Sequence, residues 1–305
     1  MNEGELEMPF SPSLSHPIAL TIGTFDGVHR GHQALLRRLK EVAGSEGMAI
    51  CLAFRNHPAE LLQMAPPPLL TSPEQKSQLI REHGAHLLLL SFTAEIANQE
   101  AGSFLAFVRQ KIPFSHLILG HDARLGRKRH GTPALIHEIA SQLGFELEYL
   151  PPVQEGGHPI SSSRIRDALM SGQLDKAERL VGRPFAFISR TSKGSGKGRE
   201  IGFPTLNLDI SHYPLPPFGV YTCMLQCAGI DHPAIANLGV APTLQENRRP
   251  LLEVHLLSPA GELDDQEVSV TLRHFLRPEQ KFETPQALIA QITADVRQAK
   301  GLLGL

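Results

Sequence analysis

Residues 18–43 constrain this chain more than any other stretch. An apolar run, Ile18 to Ile22, ends in the turn Gly23-Thr24-Phe25-Asp26-Gly27-Val28-His29-Arg30-Gly31-His32, and Gln33 to Ala43 follow with helical spacing. Strand, glycine turn and helix start form the opening of an α/β unit and a natural seat for a phosphate. The first N–H groups of a helix are unpaired and its dipole is positive there. Gly27 and Gly31 let the backbone come close to a ligand. His29 and His32, three apart, can face one point. Two imidazoles so placed stabilise charge on a transferring phosphoryl group. Asp26, just ahead of the helix, is also expected to cap it.

The alternation continues to about Val153. Strands are expected at Ile18–Gly23, Met48–Phe54, His86–Phe92, His116–Gly120 and Phe145–Leu150. Helices are expected around Gln33–Ala43, Pro73–His83, Phe104–Lys111 and Pro133–Leu143. Ser72, Pro73 and Gln75 read as N-cap, first turn and capping-box partner. Such alternation implies a parallel sheet with covering helices, on which ligands gather beyond the carboxyl ends of the strands. Two short helices, Ser163–Ser171 and Asp175–Val181, lead to a boundary near Gly182-Arg183-Pro184. Beyond it, period-two runs at Gly219–Leu225, Leu252–Leu257 and Val268–Leu272 between Gly/Pro turns imply an antiparallel β domain or barrel. A helix near Pro285–Lys300 closes the chain.

Composition excludes several classes. A chain of 305 residues with 41% apolar and 20% charged residues is globular and long enough for two cores. The formal charge of −2 gives no pull towards nucleic acid or anionic membrane. The basic cluster Arg124, Arg127, Lys128, Arg129 has no interleaved aromatics, so it reads as a solvated or ATP-facing loop. Cys51, Cys223 and Cys227 are too few and wrongly spaced for zinc, and point to a reducing cytosol. No apolar stretch nears the roughly 20 residues of a membrane span. Residues 1–17 lack the basic start and apolar core of a signal peptide and read as a flexible lead-in.

The first motif resembles the signature of the HxGH nucleotidyltransferases, most closely the FAD-synthetase branch. That resemblance assigns His29, His32, Gly23, Phe25, Asp26 and Gly31 to the phosphates of ATP. It implies attack of FMN at the α-phosphorus with loss of pyrophosphate and no covalent enzyme intermediate. Ile160-Ser161-Ser162-Ser163-Arg164-Ile165-Arg166 resembles the family's second signature, with Ser162, Ser163 and Arg166 as matched phosphate ligands. Taken alone, that stretch also fits a cap followed by a solvated face. His57 in Phe54-Arg55-Asn56-His57-Pro58 aligns with a Phe-x-Pro-His-Pro element, Asn56 replacing its first proline. Asp122 and Gly126 match a Gly-x-Asp-Phe-x-Phe-Gly loop in which Ala123 and Leu125 replace both phenylalanines. His57 and Asp122 are the implied flavin contacts.

The second half carries Lys193-Gly194-Ser195-Gly196-Lys197-Gly198-Arg199-Glu200-Ile201-Gly202-Phe203-Pro204-Thr205-Leu206-Asn207. It is not a P-loop, because Gly198 follows Gly196-Lys197 where Ser or Thr belongs. A basic glycine loop (Gly194, Gly196, Lys197, Arg199) can still wrap phosphates. Thr205 and Asn207, two apart on an extended segment, can turn their oxygens to Mg²⁺. This region resembles riboflavin kinase, and the likeness extends through Gly219-Val220-Tyr221, Asn237-Leu238-Gly239, Leu252-Glu253-Val254-His255-Leu256-Leu257 and Leu276-Arg277-Pro278-Glu279-Gln280-Lys281-Phe282. It implies Glu253 as the general base on the riboflavin 5′-hydroxyl; an outward-facing strand residue is the plainer alternative. Ala241, Ser258, Asp264 and Asp265 depart from the usual pattern without removing a proposed catalytic group.

In this order the two signatures resemble bacterial-type bifunctional riboflavin kinase/FMN adenylyltransferases. The resemblance implies a Rossmann-like α/β nucleotidyltransferase domain at 18–182, then an antiparallel six-stranded Greek-key β-barrel with a C-terminal helix at 183–305. The implied substrates and products are riboflavin, ATP, FMN and FAD, with Mg²⁺ serving both reactions in the cytoplasm and no nucleic acid or membrane partner. Two alternatives stand beside it: a kinase with a degenerate first domain, and a non-enzymatic flavin sensor. Oligomeric state is not encoded legibly.

Overall fold

Why residues 18–23 and 48–54 read as near-continuous apolar runs is plain from the computed structural model, which describes residues 16–56, 58–61, 66–193, 196–240, 250–259, 261 and 263–305. By its contacts the chain divides between Ser162 and Ser163 into two compact units. In the first, β1 (Ile18–Gly23), α1 (Arg30–Ala43), β2 (Met48–Phe54), α2 (Pro58–Leu61), α3 (Pro73–Glu82), β3 (His86–Leu90), α4 (Ala94–Asn98), α5 (Ala101–Lys111), β4 (His116–Gly120), α6 (Pro133–Leu143) and β5 (Glu146–Leu150) follow in order, then a hairpin of β6 (Gln154–Glu155) and β7 (His158–Pro159). The sheet runs β3-β2-β1-β4-β5, each neighbouring pair parallel. Both faces are covered. Ile18, Leu20 and Ile22 pack with Ile50, Leu52, Phe104 and Leu117 on one side, and Ala19 and Cys51 with Leu35, Leu36, Leu39 and Ile80 on the other. A strand buried on both faces has no polar side to alternate with.

Helix ends follow local chemistry. Ser72 and Gln75 form a complete capping box on α3, and Thr132 caps α6 ahead of Pro133. α1 and α5 begin three residues before the expected Gln33 and Phe104, because their first turns hold small or polar residues that carry no apolar period. β3 stops at Leu90 and β5 starts at Glu146, each short of the expected strand. The chain order places β2 and β3 on one side of β1 and β4 and β5 on the other. The crevice beyond the carboxyl ends of β1 and β4 is therefore the switch point where ligands bind in such sheets.

α7 (Ser162–Met170) and α8 (Leu174–Val181) precede the second set of strands, and residues 163–182 group by contacts with the second unit. β8 (Phe187–Lys193), α9 (Lys197–Glu200), β9 (Leu206–Asp209), β10 (Gly219–Cys227), β11 (Ile230–Val240), β12 (Pro250–Leu256), β13 (Glu267–Pro278) and α10 (Pro285–Leu303) complete it. The six strands close into an antiparallel barrel of order β10-β11-β12-β9-β8-β13. The steps from β9 to β10 and from β12 to β13 each skip two strands, the Greek-key feature. Leu208, Leu225, Ala234, Ala236, Leu252, Val254 and Val270 are buried among the barrel residues. α10 is fastened to β13 by Arg277, whose guanidinium donates to both carboxylate oxygens of Asp295 at 2.8–3.1 Å.

Candidate active sites

The first site is built at the end of β1. His29 sits just outside α1 with extended backbone and caps it: its Nδ1 accepts the backbone N–H of His32 at 3.3 Å. An accepting Nδ1 puts the proton of a neutral His29 on Nε2. The rings of His29 and His32 stack 3.7 Å apart at 15°, and Phe25 lies 4.8 Å from His32 on another side. Gly31 packs tightly under this stack: a Cβ there would come within 3.1 Å of the His29 ring, which would have to shift by a few tenths of an ångström. Burial, with the nearby charges of His29 and Lys76, holds the His32 imidazole well below its ordinary pKa of 6.5. Its Nδ1 is buried and has no hydrogen-bond partner among the described residues. A neutral His32 ring stacked on His29 at a helix N-terminus offers N–H donors that suit an anion.

Asp26 does not cap α1. His29 takes that place, because the backbone of residues 25–28 turns through left-handed conformations and carries Asp26 away from the helix start. The Asp26 carboxylate is instead buried and accepts the backbone N–H groups of Leu70 and Thr71.

A cavity of about 930 Å³ opens beside the stacked histidines. Its walls come from the carboxyl ends of β1, β2, β4 and β5 and from the segment after β3. They include Gly23, Phe25, His29, Gly31, His32, Asp122 and Ser162, but not Asp26. The basic cluster lines the same space: Arg124, Arg127, Lys128 and Arg129 face it together with the apolar Phe54, Leu61, Phe92, Ile96, Ala123 and Leu125. Cationic and apolar walls in one cavity fit a ligand with phosphates at one part and a flat ring at another. Phe54 and Phe92 meet edge to face at 4.9 Å. Asn56 accounts for that contact. Its amide donates to the Phe92 carbonyl at 3.1 Å and accepts the Phe92 N–H at 2.8 Å, splinting the end of β2 to the segment after β3. Ser162 opens α7 and donates to the Asp26 carbonyl at 2.9 Å, whereas Ser163 is exposed and Arg166 buried further along that helix. His57 lies outside the described residues.

The second site is a polar row across three barrel strands. Register pairs Asn207 of β9 with Glu253 of β12, and Glu253 with Asn237 of β11. The Asn237 amide donates to the Glu253 carboxylate at 3.4 Å. Leu252 and Val254 on either side of Glu253 are buried, so Glu253 points to the opposite face of the sheet. That is the face on which Arg277 reaches α10, the outside of the barrel. Thr205 lies just ahead of β9, two residues before Asn207. Gly198 packs so close to it that a Cβ would lie 3.5 Å from Thr205 Oγ1 and 2.4 Å from the Phe203 carbonyl. His255 pins this loop, its Nδ1 2.8 Å from the Pro204 carbonyl. Asn207 Oδ1 is buried with no hydrogen-bond partner among the described residues. A buried amide oxygen paired in register with a carboxylate offers hard oxygen donors of the kind Mg²⁺ takes. Gly196 takes φ of 80° at the start of α9 and Arg199 is exposed on it. Gly194 lies outside the described residues, as does Ala241, and nothing is described of the Lys197 side chain.

Residues 11–164 match the FAD synthetase family and residues 181–303 the riboflavin kinase family. Over 285 residues the chain is 35% identical to the bifunctional riboflavin kinase/FMN adenylyltransferase of Pseudomonas fluorescens, covering 92% of each. Over 293 residues it is 36% identical to the protein of that name from Escherichia coli K12, covering 94% of this chain and 93% of that one. The chain belongs to the bifunctional riboflavin kinase/FMN adenylyltransferase family. A solved structure described as a macrolide-efflux protein from Streptococcus pneumoniae shares the fold, with a TM-score of 0.85 over 98% of this chain and 97% of that one at 24% identity. Among the described residues of this riboflavin kinase/FMN adenylyltransferase family member, no helix is long and apolar enough to cross a membrane.

Sequence reasoning passed over Thr71, Asn56 as a splint, the Phe54–Phe92 pair and Lys76. Only Asn56 left a signal, by standing where the family has proline.

Proposed function

We propose that this bifunctional enzyme divides its work between the two sites described. It phosphorylates riboflavin to FMN with ATP, and adenylylates FMN to FAD with release of pyrophosphate. We place the adenylyltransferase at residues 18–182 and the kinase at 183–305. The observation that carries the first half is the His29/His32 stack at the N-terminus of α1, facing a cavity at the switch point. There His29 and His32 hold the ATP phosphates with Gly23, Phe25, Gly31 and Ser162. An FMN phosphate oxygen attacks the α-phosphorus, and pyrophosphate departs toward the basic loop that contains Arg124 and Arg129. Imidazole N–H groups and helix amides stabilise charge as it grows on the phosphates. Asp122 and His57 are assigned to the flavin side.

In the kinase half, Glu253 takes the proton of the riboflavin 5′-hydroxyl as that oxygen attacks the γ-phosphorus and ADP leaves. Asn237 orients its carboxylate. Thr205 and Asn207 would hold Mg²⁺, which neutralises phosphate charge when bound. The loop of Gly194, Gly196, Lys197 and Arg199 covers the phosphates. We assign the enzyme to the cytoplasm.

Complementary variants test the division. His29→Ala should remove most FAD formation, about 10²–10³-fold for a lost preorganised donor, and leave FMN formation standing. Glu253→Gln should stop FMN formation, about 10²–10⁴-fold for a lost general base, while added FMN is still adenylylated. Equal loss of both activities in either folded variant contradicts the two-site reading.

A further inference from the structure

The turn that carries the two histidines holds backbone shapes that L-residues avoid. Phe25 and Val28 adopt φ of 52° and 38°, with Gly27 at 81° between them. A β-branched residue at positive φ is an outlier that persists only where its surroundings over-determine it. The Asp26 carboxylate, 3% exposed, accepts the N–H of Leu70 at 3.0 Å and of Thr71 at 3.3 Å. The Thr71 hydroxyl, in a residue 1% exposed, accepts the Gly27 N–H at 3.2 Å and donates to Asp26 Oδ1 at 3.4 Å. Residues 26–27 and 71 are thus tied by a small closed ring of hydrogen bonds. Packing tightens it, since a Cβ on Gly27 would lie 2.9 Å from Leu70 Cδ1. The far side of the ring is rigid, because Thr71 is followed at once by the capping box that starts α3. Across the turn, Ser162 Oγ donates to the Asp26 carbonyl.

We propose that Asp26 and Thr71 form a latch that holds the turn in the shape bringing His29 and His32 to the ATP phosphates. Thr71 is then a positioning residue for adenylyl transfer. Asp26 acts through the backbone rather than on the nucleotide: it is buried, already engaged and does not line the cavity, and its negative charge would oppose a phosphate. Lys76, half-buried on the first turns of α3, is close enough to feel the Asp26 charge and offsets it. The inference rests on the adenylyltransferase reading of this site.

Thr71→Val in the full chain keeps the shape of the side chain and removes both hydrogen bonds, while Thr71→Ser restores the hydroxyl. A catalytic geometry lost by about an ångström costs on the order of 10²-fold, so Thr71→Val should lower FMN adenylylation about 10- to 100-fold. Riboflavin phosphorylation should be unchanged, and Thr71→Ser should recover most of the loss. Hydrogen–deuterium exchange supplies a readout independent of activity: amides of residues 25–32 should exchange faster in Thr71→Val, and those of 48–54 should not. Wild-type adenylylation and unchanged exchange in Thr71→Val would overturn the latch, as would failure of Thr71→Ser to rescue. If the parent chain itself does not adenylylate FMN, the functional reading fails, and the exchange at residues 25–32 still decides for or against the latch.

Discussion

Removing the Asp295 carboxylate should unfasten α10 from the barrel, and the cost can be worked from the contacts. The Asp295 side chain is 4% exposed and Arg277 18%, and the two share three hydrogen bonds of 2.8–3.1 Å. Gln291 donates a fourth to the same carboxylate at 2.9 Å. Asp295→Ala leaves a largely buried guanidinium without its counter-charge, a change that costs about 3–5 kcal/mol. Arg277 keeps one bond to the Pro278 carbonyl and a position over the Phe282 ring. The lower end, about 3 kcal/mol, therefore applies. For a unit of this size each kcal/mol lowers Tm by about 3–4 °C, so the barrel should melt ~10 °C earlier. Asp295→Asn keeps hydrogen-bonding oxygen and should lose less. The assay is heat inactivation of both activities in one sample, with calorimetry of the same protein. Riboflavin phosphorylation should fail at the lower temperature while FMN adenylylation follows the parent curve. A shift under about 3 °C would show that the pair only offsets its own desolvation, and the reasoning would be wrong.

Restoring the aromatic loop, Ala123→Phe with Leu125→Phe, should lower the KM for FMN by up to about tenfold, since an aromatic contact is worth about 0.5–1.5 kcal/mol. The riboflavin KM should stay put; an unmoved FMN KM in a normally folded variant excludes this loop from the flavin. Asn207→Ala should raise the Mg²⁺ concentration needed for half-maximal phosphorylation, and an unchanged Mg²⁺ curve places the metal elsewhere. Because the His32 pKa is lowered in the folded chain, the unfolded chain binds more protons below pH 6.5. The stability due to neutral His32 is whole above pH 6.5 and is lost as pH falls toward the folded-state pKa. Melting of the parent should drop from pH 7.5 to 5.5 by more than that of His32→Asn, and equal drops would contradict it.

Much of the first unit was legible because its information is local. β1, β2 and β4 begin and end where the apolar runs do, and Ser72-Pro73-Glu74-Gln75 spells its cap within four residues. The barrel was legible as a class and incompletely as strands. β8 is largely polar, β9 has only four residues, and β11 carries Pro233 and Gly239 inside its eleven. Such strands are recognised by their partners rather than by their own pattern. The histidine motif announced itself, yet the shape it needs did not. Asp26 reads as a helix cap in sequence, while the groups it holds lie 44 and 45 residues away. Likewise nothing near Phe54 signals that Asn56 will tie it to Phe92 across 36 residues. Long-range hydrogen bonds leave no period and no spacing behind.

The central claim is that one chain performs both transfers in sequence, and the most direct measurement is a complete accounting of products. The purified enzyme is incubated with riboflavin, ATP and Mg²⁺, and flavins, ADP and pyrophosphate are separated and quantified over time. The account predicts that FMN appears first and FAD after it, with one ADP formed for each riboflavin consumed and one pyrophosphate for each FAD. FMN accumulating with ADP alone would make the first unit a degenerate scaffold, and unchanged riboflavin would contradict the account entirely.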